Sequence, residues 1–285
     1  MQIGLSIHPE WIKGDWNLLE QELNAVSAAG ADTCELVLHG LDVVIGDRIL
    51  EEREGTLKKL LRKYPLAYTL HVPYELDLTD SELGELYRKV MEQSVILAKN
   101  IECSVVVYHA GNAKEEGYSE DREVEIVRNI VRQAETVKVC MENGPYYPEH
   151  SLSPGRSAQA MCRFAGKVDH GQFGLTFDVG HAFLNNSGNG EQLLEELATA
   201  MPYIAHIHLH DNMGIPCTDS GFTDSHKITC GMGDIHLPLG WGKIPLDAVL
   251  AQLKEGDYPG IINLEIEKRF EKYYKTCVEC CRSVL

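Results

Sequence analysis

An alternation of short apolar runs with amphipathic stretches extends through the whole chain and constrains its fold more than any other feature. The apolar runs are rich in β-branched residues and recur about every 30 residues, which is the pattern of strands joined by helices. Such alternation favours a parallel sheet with right-handed crossovers, and closure at eight strands predicts an α/β fold, a single-domain (β/α)8 TIM barrel over residues 1–285. The predicted strands are 3–7, 33–38, 66–71, 104–109, 137–142, 174–178, 204–209 and 261–266.

The helices predicted between these strands include residues 16–29, 81–99, 120–136 and 191–200. In the second of them, one apolar face is predicted from Leu83, Leu86, Val90 and residues 95–97. An open doubly wound sheet is the alternative architecture, but the sequence has no glycine-rich phosphate loop after its first strand. The segment from about 210 to 243 carries no regular pattern, and loops of this length are usually functional or disordered.

Acidic residues dominate the charge of this chain, with 43 Asp and Glu against 26 Lys and Arg and a formal net charge of −17. An excess of this size repels phosphate backbones and anionic membranes, because no cluster of basic residues offsets it. The expected partner is therefore a small molecule rather than nucleic acid or a membrane, and a homo-oligomer is left open. The first residues lack a charged leader with an apolar run, so a signal peptide is not expected.

Nine cysteines in a chain of this length do not form a small secreted framework, and they favour a reducing cytoplasm. Cys277, Cys280 and Cys281 lie close together, but a zinc ribbon would need a second pair of ligands in the same small module. This group is therefore interpreted as part of a terminal helix with free thiols.

Potential metal ligands stand at or near the ends of most predicted strands. In a parallel barrel the carboxyl ends of the strands form the catalytic face, so these side chains are expected to converge on one mouth. Carboxylates and imidazoles that meet in one cavity repel one another or lose solvation unless a cation balances them. Nitrogen and oxygen donors without thiolate suit Zn or Mn, with Mg also open. The residues concerned are His71, His109, Glu142, Asp178, His208, His210 and Glu265.

Seven short motifs follow one another in a fixed order along the chain. They are His71-Val-Pro-Tyr74, Tyr108-His109-Ala-Gly111, Met141-Glu142-Asn143, Phe177-Asp178-Val-Gly180-His181-Ala182-Phe183, His206-Ile-His208-Leu-His210-Asp211-Asn212, Gly233-Asp234-Ile-His236-Leu-Pro-Leu-Gly240-Trp-Gly242 and Leu264-Glu265. Each motif alone is weak, but the ordered set resembles the xylose-isomerase-like TIM barrels, a superfamily that includes sugar phosphate isomerases, epimerases and endonuclease IV. The resemblance extends from the first strand to the eighth.

The resemblance implies a role for each matching position. The metal site that the superfamily shares corresponds to Glu142, Asp178, His208 and Glu265. The two further sites of endonuclease IV correspond to His71 and His109 with the shared glutamate, and to His181, Asp234 and His236. Because the sugar enzymes commonly use one metal, these five additional residues are open either to further metals or to substrate. The resemblance therefore implies one to three divalent ions.

Two Asp-x-His triplets compete for the last of these sites, Asp224-Ser-His226 and Asp234-Ile-His236. Only the second is followed by Gly-x-Gly at the spacing that the family uses, so Asp234 and His236 are the predicted ligands. The segment around 215–230 then becomes an insertion relative to the family, with a substrate lid as a role open to it. Asp224 and His226 are expected to be solvated loop residues.

Isomerisation or epimerisation of a sugar or sugar phosphate is the function that the resemblance favours. A divalent metal would bind a substrate carbonyl with its neighbouring hydroxyl and stabilise the enediolate. Glu142 and Glu265 would exchange the proton as acid and base on opposite faces, and His181 would orient a hydroxyl. Glu35 lies in a segment that resembles the glutamate-bearing second strand of the sugar isomerases. It is predicted either to bind substrate or to form a buried ion pair.

Two other reactions remain open for the same residues. An endonuclease IV-like multinuclear zinc phosphodiesterase acting on abasic DNA would use the full ligand set, including His71 and His109. The charge of −17 and the presence of Ile235, where endonuclease IV typically has arginine, argue against it. Elimination or dehydration of a polyol or glycoside would use similar metal chemistry. A phosphorylated substrate would need a basic group or a helix N-terminus at the mouth, for which Arg156 is a weak candidate.

Overall fold

The chain alternates strands and helices in the order that its hydrophobic pattern predicts. A computed structural model describes residues 1–111, 118–145, 153–217 and 221–285. The strands are β1 (Gln2–Ser6), β2 (Thr33–Val37), β3 (Val44–Ile45), β4 (Arg48–Ile49), β5 (Ala67–His71), β6 (Cys103–His109), β7 (Lys138–Glu142), β8 (Phe173–Asp178), β9 (Ile204–Leu209) and β10 (Ile261–Leu264). The helices are α1 (Pro9–Ile12), α2 (Trp16–Ala28), α3 (Glu51–Leu61), α4 (Gly84–Asn100), α5 (Glu120–Val131), α6 (Ala158–Val168), α7 (Val179–Asn185), α8 (Gly190–Ala200), α9 (Asp224–Cys230), α10 (Leu246–Glu255) and α11 (Tyr274–Val284).

Eight parallel strands close into one barrel in the order β1-β10-β9-β8-β7-β6-β5-β2. This closure confirms the predicted single-domain TIM barrel. The bounds of the barrel strands differ from the predicted ones by at most two residues, and the largest difference is at β10, which ends at Leu264. Glu265 therefore follows its strand directly, at the carboxyl end where the other candidate ligands lie.

Several local details differ from the sequence interpretation, and the helix expected over 120–136 ends at Val131. The helix expected from residue 81 begins at Gly84, and Leu83 and Leu86 are exposed rather than buried. The antiparallel pair β3–β4 was not predicted, because two-residue strands are too short to show a period. The long segment after β9 contains the short helix α9, which Thr223 caps by accepting a hydrogen bond from the backbone N–H of His226 at 3.3 Å.

The main apolar core lies between the strands and the helices that surround them. Leu19 and Leu23 of α2 and Phe164 of α6 are fully buried within it. Inside the barrel, by contrast, polar residues form a layer near the middle of the strands, where Glu35 pairs in register with Ser6 and Thr69. The interior of the barrel therefore contains a buried charged residue below the mouth.

Asp211 anchors the long connection that follows β9. Its Oδ2 accepts hydrogen bonds from the backbone N–H groups of Gly240 at 2.9 Å and Gly242 at 2.8 Å. Asp211 also forms an antiparallel bridge with Leu237. A side chain at position 242 would collide with the Asn212 carbonyl at 2.2 Å, so glycine is required where the two segments touch. These contacts join the motif at 206–212 to the motif at 233–242 and place Asp234 and His236 over the barrel mouth.

The C-terminal cysteines lie on α11, as the sequence predicted. Cys277 and Cys281 are buried against the core, Cys280 is partly exposed, and all three are free thiols. In the part of the chain that the structure describes, no helix combines the length and apolar character that crossing a membrane requires.

Candidate metal centre

A cavity of about 930 Å³ opens at the carboxyl ends of the barrel strands. Its wall is shared by the strand ends and by the segments that follow β1, β5 and β10. Three groups of potential ligands meet at its floor, and we name them by position. The central cluster is Glu142, Asp178, His208 and Glu265; the histidine pair cluster is His71, His109 and Glu142; and the loop cluster is His181, His210, Asp234 and His236.

The central cluster is built around the Nδ1 atom of His208. Three carboxylates surround this atom, with Glu142 Oε1 at 3.0 Å, Glu265 Oε1 at 3.6 Å and Asp178 Oδ2 at 4.0 Å. Three negative charges around one imidazole leave a net negative charge in a buried space, which is costly without a cation. All four residues were predicted to share one site, and the structure brings them together.

The two carboxylate oxygens of Asp178 have different surroundings: one caps a helix and the other faces the central cluster. Its Oδ1 caps α7 by accepting a hydrogen bond from the His181 backbone N–H at 2.6 Å. Its Oδ2 is buried and has no hydrogen-bond partner. Asn143 ties the end of β7 to the end of β8, because its amide nitrogen donates to the Asp178 carbonyl at 2.8 Å and its oxygen accepts from the Asp178 N–H at 2.8 Å. The free Oδ2 is therefore fixed in place as a donor for a cation.

The histidine pair cluster shares Glu142 with the central cluster. The Nε2 atoms of His71 and His109 lie 3.0 and 3.2 Å from Glu142 Oε2, while the other oxygen of Glu142 faces His208. One carboxylate thus stands between two groups of imidazoles. Glu142 is fully buried, whereas Glu265 lies on the cavity wall and is the carboxylate of the central cluster that a ligand in the cavity would meet first.

The loop cluster contains the second of the two Asp-x-His triplets, Asp234 and His236. The Nε2 atoms of His181 and His236 each lie 3.0 Å from Asp234 Oδ2. Asp224 and His226 lie instead on the exposed α9. The inserted segment does border the cavity, since Ser225 lies on its wall, and residues 218–220 of that segment are outside the described residues. His210, which the sequence interpretation did not assign to this group, completes it.

Hydrogen bonds to backbone carbonyls fix the orientation of four of these imidazoles. The Nδ1 atoms concerned lie 2.7 to 3.0 Å from their acceptors, and the pairs are His71 with Val72 O, His109 with Tyr74 O, His181 with Asn143 O and His236 with Glu265 O. Because a carbonyl only accepts hydrogen bonds, each Nδ1 must carry the proton. With Nδ1 fixed as a donor, loss of the second proton to a bound cation would leave the lone pair of Nε2 facing the cluster, which is the arrangement of histidines that bind metals.

The pKa values of the clusters follow from charge crowded into a buried space. Burial alone would lower the pKa of His236, but Asp234 outweighs burial and raises the pKa to about 10. Burial alone would raise the pKa of Glu142, but His208 and His109 hold it well below its usual range. Protonated imidazoles thus supply the positive charge that the carboxylates require. A divalent ion would supply the same charge and would also satisfy the unpaired oxygen of Asp178, so the donor set fits a metal.

Glu35 lies below the clusters and not on the cavity wall. Its carboxylate is fully buried and accepts hydrogen bonds from His206 Nε2 at 3.0 Å and Thr69 Oγ1 at 2.9 Å, and its Oε1 contacts His208 Nε2 at 3.0 Å. Burial alone would raise the pKa of Glu35, but His208 and His206 hold it well below its usual range. Of the two roles predicted for Glu35, this geometry matches the buried ion pair and does not match contact with substrate.

Replacing Glu35 by glutamine is expected to weaken divalent-metal binding by about 10- to 100-fold, because the carboxylate behind His208 orients the ring. Competition with a chromogenic chelator would measure the affinity. Thr69→Val is the matched control, since it removes one hydroxyl from the same carboxylate and leaves the charge in place. Equal affinities of wild type and Glu35→Gln would show that Glu35 does not support the metal site.

Basic residues at the cavity differ from the one proposed from the sequence. Among the described residues of the wall, the cations are Lys268 and Arg269, and Arg156 does not contribute. Both wall cations have acidic neighbours: Lys268 contacts Glu22, and Arg269 Nε lies 3.7 Å from Glu267 Oε1. Neither residue belongs to one of the seven motifs, so neither could be assigned to the cavity from the sequence.

A TIM barrel whose strand ends carry three groups of histidine and carboxylate ligands defines the class of this protein. The chain belongs to the xylose isomerase-like TIM barrel family, which matches residues 23–284. It is 30% identical over 258 residues to an uncharacterized protein of Methanocaldococcus jannaschii, MJ1311, which covers 87% of this chain and 78% of that protein.

Solved structures of sugar epimerases share the fold. A D-tagatose 3-epimerase-like protein superposes with a TM-score of 0.76 at 22% identity, covering 100% of this chain and 98% of that one. The D-psicose 3-epimerase of Clostridium cellulolyticum H10, solved with D-tagatose, gives a TM-score of 0.75 at 16% identity, covering 100% of this chain and 99% of that one. At these identities the likeness is one of fold.

Proposed function

We propose that this protein is a divalent-metal-dependent isomerase or epimerase of a sugar or sugar phosphate. The observation that carries the proposal is the approach of two carboxylates, Glu142 from β7 and Glu265 from the end of β10, to the same atom of His208. A cavity of about 930 Å³ is within the size range of small-molecule sites, and similar folds belong to sugar epimerases.

The proposed roles follow from position and exposure. The central cluster would hold Zn or Mn, and the bound ion would supply the positive charge that acidifies the C–H bond beside a substrate carbonyl. Glu265, on the cavity wall, would take or return the proton of that bond, and Glu142 would serve the opposite face. His109 and Tyr74 also line the cavity beside the centre, where they would contact substrate hydroxyl groups.

A second candidate function is supported by the histidine pair and loop clusters. Every position that the resemblance matched to endonuclease IV lies in one of the three clusters, so a multinuclear phosphodiesterase acting on abasic DNA has the ligands it would need. The electrostatics oppose it. The net charge is −17, and the cavity wall carries Glu10, Glu75 and Glu267, which would repel a phosphate backbone.

Solvent exchange separates these reactions. We expect the protein, incubated in deuterated water with a panel of ketoses, aldoses and their phosphates, to place deuterium on the carbon beside the carbonyl of one substrate. The exchange should stop after chelation and return with Mn or Zn. Nicking of an abasic oligonucleotide at catalytic protein concentrations, without exchange into any sugar, would select the second candidate, and loss of water from a polyol would select dehydration.

A further inference from the structure

Alternation along β9 points three histidines into the barrel at successive depths. Side chains two residues apart lie on the same face of a strand, so His206 and His208 share the inner face of β9, and His210, the first residue after the strand, continues this alternation. His206 contacts Glu35 at the lowest level, and His208 belongs to the central cluster above it. His210, at the mouth, is fully buried and lies in the loop cluster. The resemblance that predicted the other three loop-cluster residues assigns no ligand at this position.

The ring of His210 packs between Gly180 and the ring of His236. A side chain at Gly180 would lie 2.1 Å from its Cε1 atom, so only glycine leaves room for the ring at this point of α7. On its other side the ring stacks on His236, with centroids 4.0 Å apart and planes 19° apart. These two contacts fix where the Nε2 atom of His210 points.

That Nε2 atom faces Asp234 without forming an aligned hydrogen bond. It lies 3.2 Å from Asp234 Oδ1, yet both atoms are buried and neither has a hydrogen-bond partner. Buried polar atoms without a hydrogen-bond partner destabilise the folded protein. A cation between them would satisfy both. The Nε2 atoms of His181 and His236 approach the other oxygen of the same carboxylate, so all four donors surround one small volume.

We infer that His181, His210, Asp234 and His236 form a closed four-donor site for a zinc-like ion, with His210 as its fourth ligand. Three imidazoles and one carboxylate fill a tetrahedral shell, and sites filled in this way hold structure, whereas catalytic sites keep a position open. The site joins α7 and β9 to the long connection that carries Asp234 and His236. His236 adopts a φ of 42°, which is unfavourable for a residue with a side chain, and ligation would offset that strain.

This assignment is independent of the reaction proposed above. The assignment requires only that the loop cluster binds its ion more tightly with His210 than with the other three donors alone. The histidine pair cluster, with three donors, keeps room for a further ligand. The loop-cluster ion is therefore expected to anchor the connection over the mouth, while substrate meets the other two clusters.

The test follows zinc retention in the full-length protein. Dialysis against a chelator is expected to leave one slowly released ion in the wild type, and His210→Ala should release it at least about tenfold faster, as happens when support for a bound metal is removed. His226→Ala, which alters the histidine of the other Asp-x-His triplet on exposed α9, is the matched control and should release zinc at the wild-type rate. Equal release by His210→Ala and wild type would overturn the assignment.

Anomalous diffraction from wild-type crystals grown with zinc tests the same assignment without a variant. The expected peak lies at about 2.0 to 2.1 Å from His210 Nε2 and from the three other donors. A peak bound by His181, Asp234 and His236 but more than about 3 Å from His210 Nε2 would contradict it, because zinc–nitrogen bonds are far shorter. The lack of any peak in the loop cluster would contradict it as well.

Discussion

Glu142→Gln is expected to lower the rate of deuterium exchange into the sugar substrate by about 10³-fold or more and to reduce the metal content of the protein. Glu142 belongs to two clusters, with one oxygen facing His71 and His109 and the other facing His208. The amide of glutamine removes the negative charge from both clusters. Its NH2 group would also face imidazole N–H groups, which are donors themselves. Exchange measured by NMR and metal content measured by mass spectrometry would follow the two effects separately.

Glu10→Gln is the matched control for this variant. Glu10 also lines the cavity, but its side chain is exposed and belongs to none of the clusters. We expect it to change exchange by less than about threefold, in keeping with a surface charge. If Glu142→Gln and Glu10→Gln exchanged deuterium at the same rate, neither the metal-binding role nor the acid–base role assigned to Glu142 would stand.

Glu123→Gln, which lies outside the three clusters, is expected to change the pH dependence of stability. Burial raises the pKa of Glu123, on α5, to about 7, against 4.5 for the ordinary side chain. Its Oε2 accepts a hydrogen bond from Tyr118 at 2.9 Å, and the side chain is fully buried. The folded protein therefore favours the neutral carboxyl group.

The direction of the effect follows from the raised pKa. The unfolded chain loses this proton near pH 4.5 and the folded protein near pH 7, so the folded state loses stability as pH rises between these values. The loss amounts to about 3 kcal/mol above pH 7. Glutamine cannot ionise, so the free energy of unfolding of Glu123→Gln relative to wild type should increase by about 2.5 kcal/mol between pH 5 and pH 8, because a small part of the effect is already present at pH 5.

Denaturant unfolding at the two pH values would measure this difference. Any constant cost of burying the amide cancels when the two pH values are compared. Glu125→Gln on the same helix is the control, because the Glu125 side chain is more than half exposed and its Oε2 lies 3.7 Å from Arg128 Nη1. An equal stability difference at pH 5 and pH 8 would mean that Glu123 is ionised in the folded protein.

The barrel and most of its mouth could be predicted because strand period and strand ends are local properties of the sequence. His71, His109, Glu142 and Asp178 are the last residues of their strands, and a parallel barrel brings such residues together. His210 could have been assigned by the same reasoning, since His-x-His-x-His along a strand places alternate rings on one face.

Other features depend on depth and packing, which the sequence does not reveal. Glu35 stands two residues before the end of β2, so it lies below the mouth, and its partner His206 lies on a distant strand. Leu83 precedes α4 and Leu86 lies in its first turn, and both are exposed although they continue the apolar period of the helix. The cations at the cavity, Lys268 and Arg269, lie in a short 3-10 helix after β10 that carries no motif.

Metal content of the purified protein tests the central claim most directly. The account predicts at least one divalent transition-metal ion per chain, measured by mass spectrometry after purification without added metal or chelator, with Zn or Mn as the expected element. Protein that carries no such ion, takes none up when dialysed against Zn or Mn, and shows no activation by either would contradict the account of the three clusters as a metal centre.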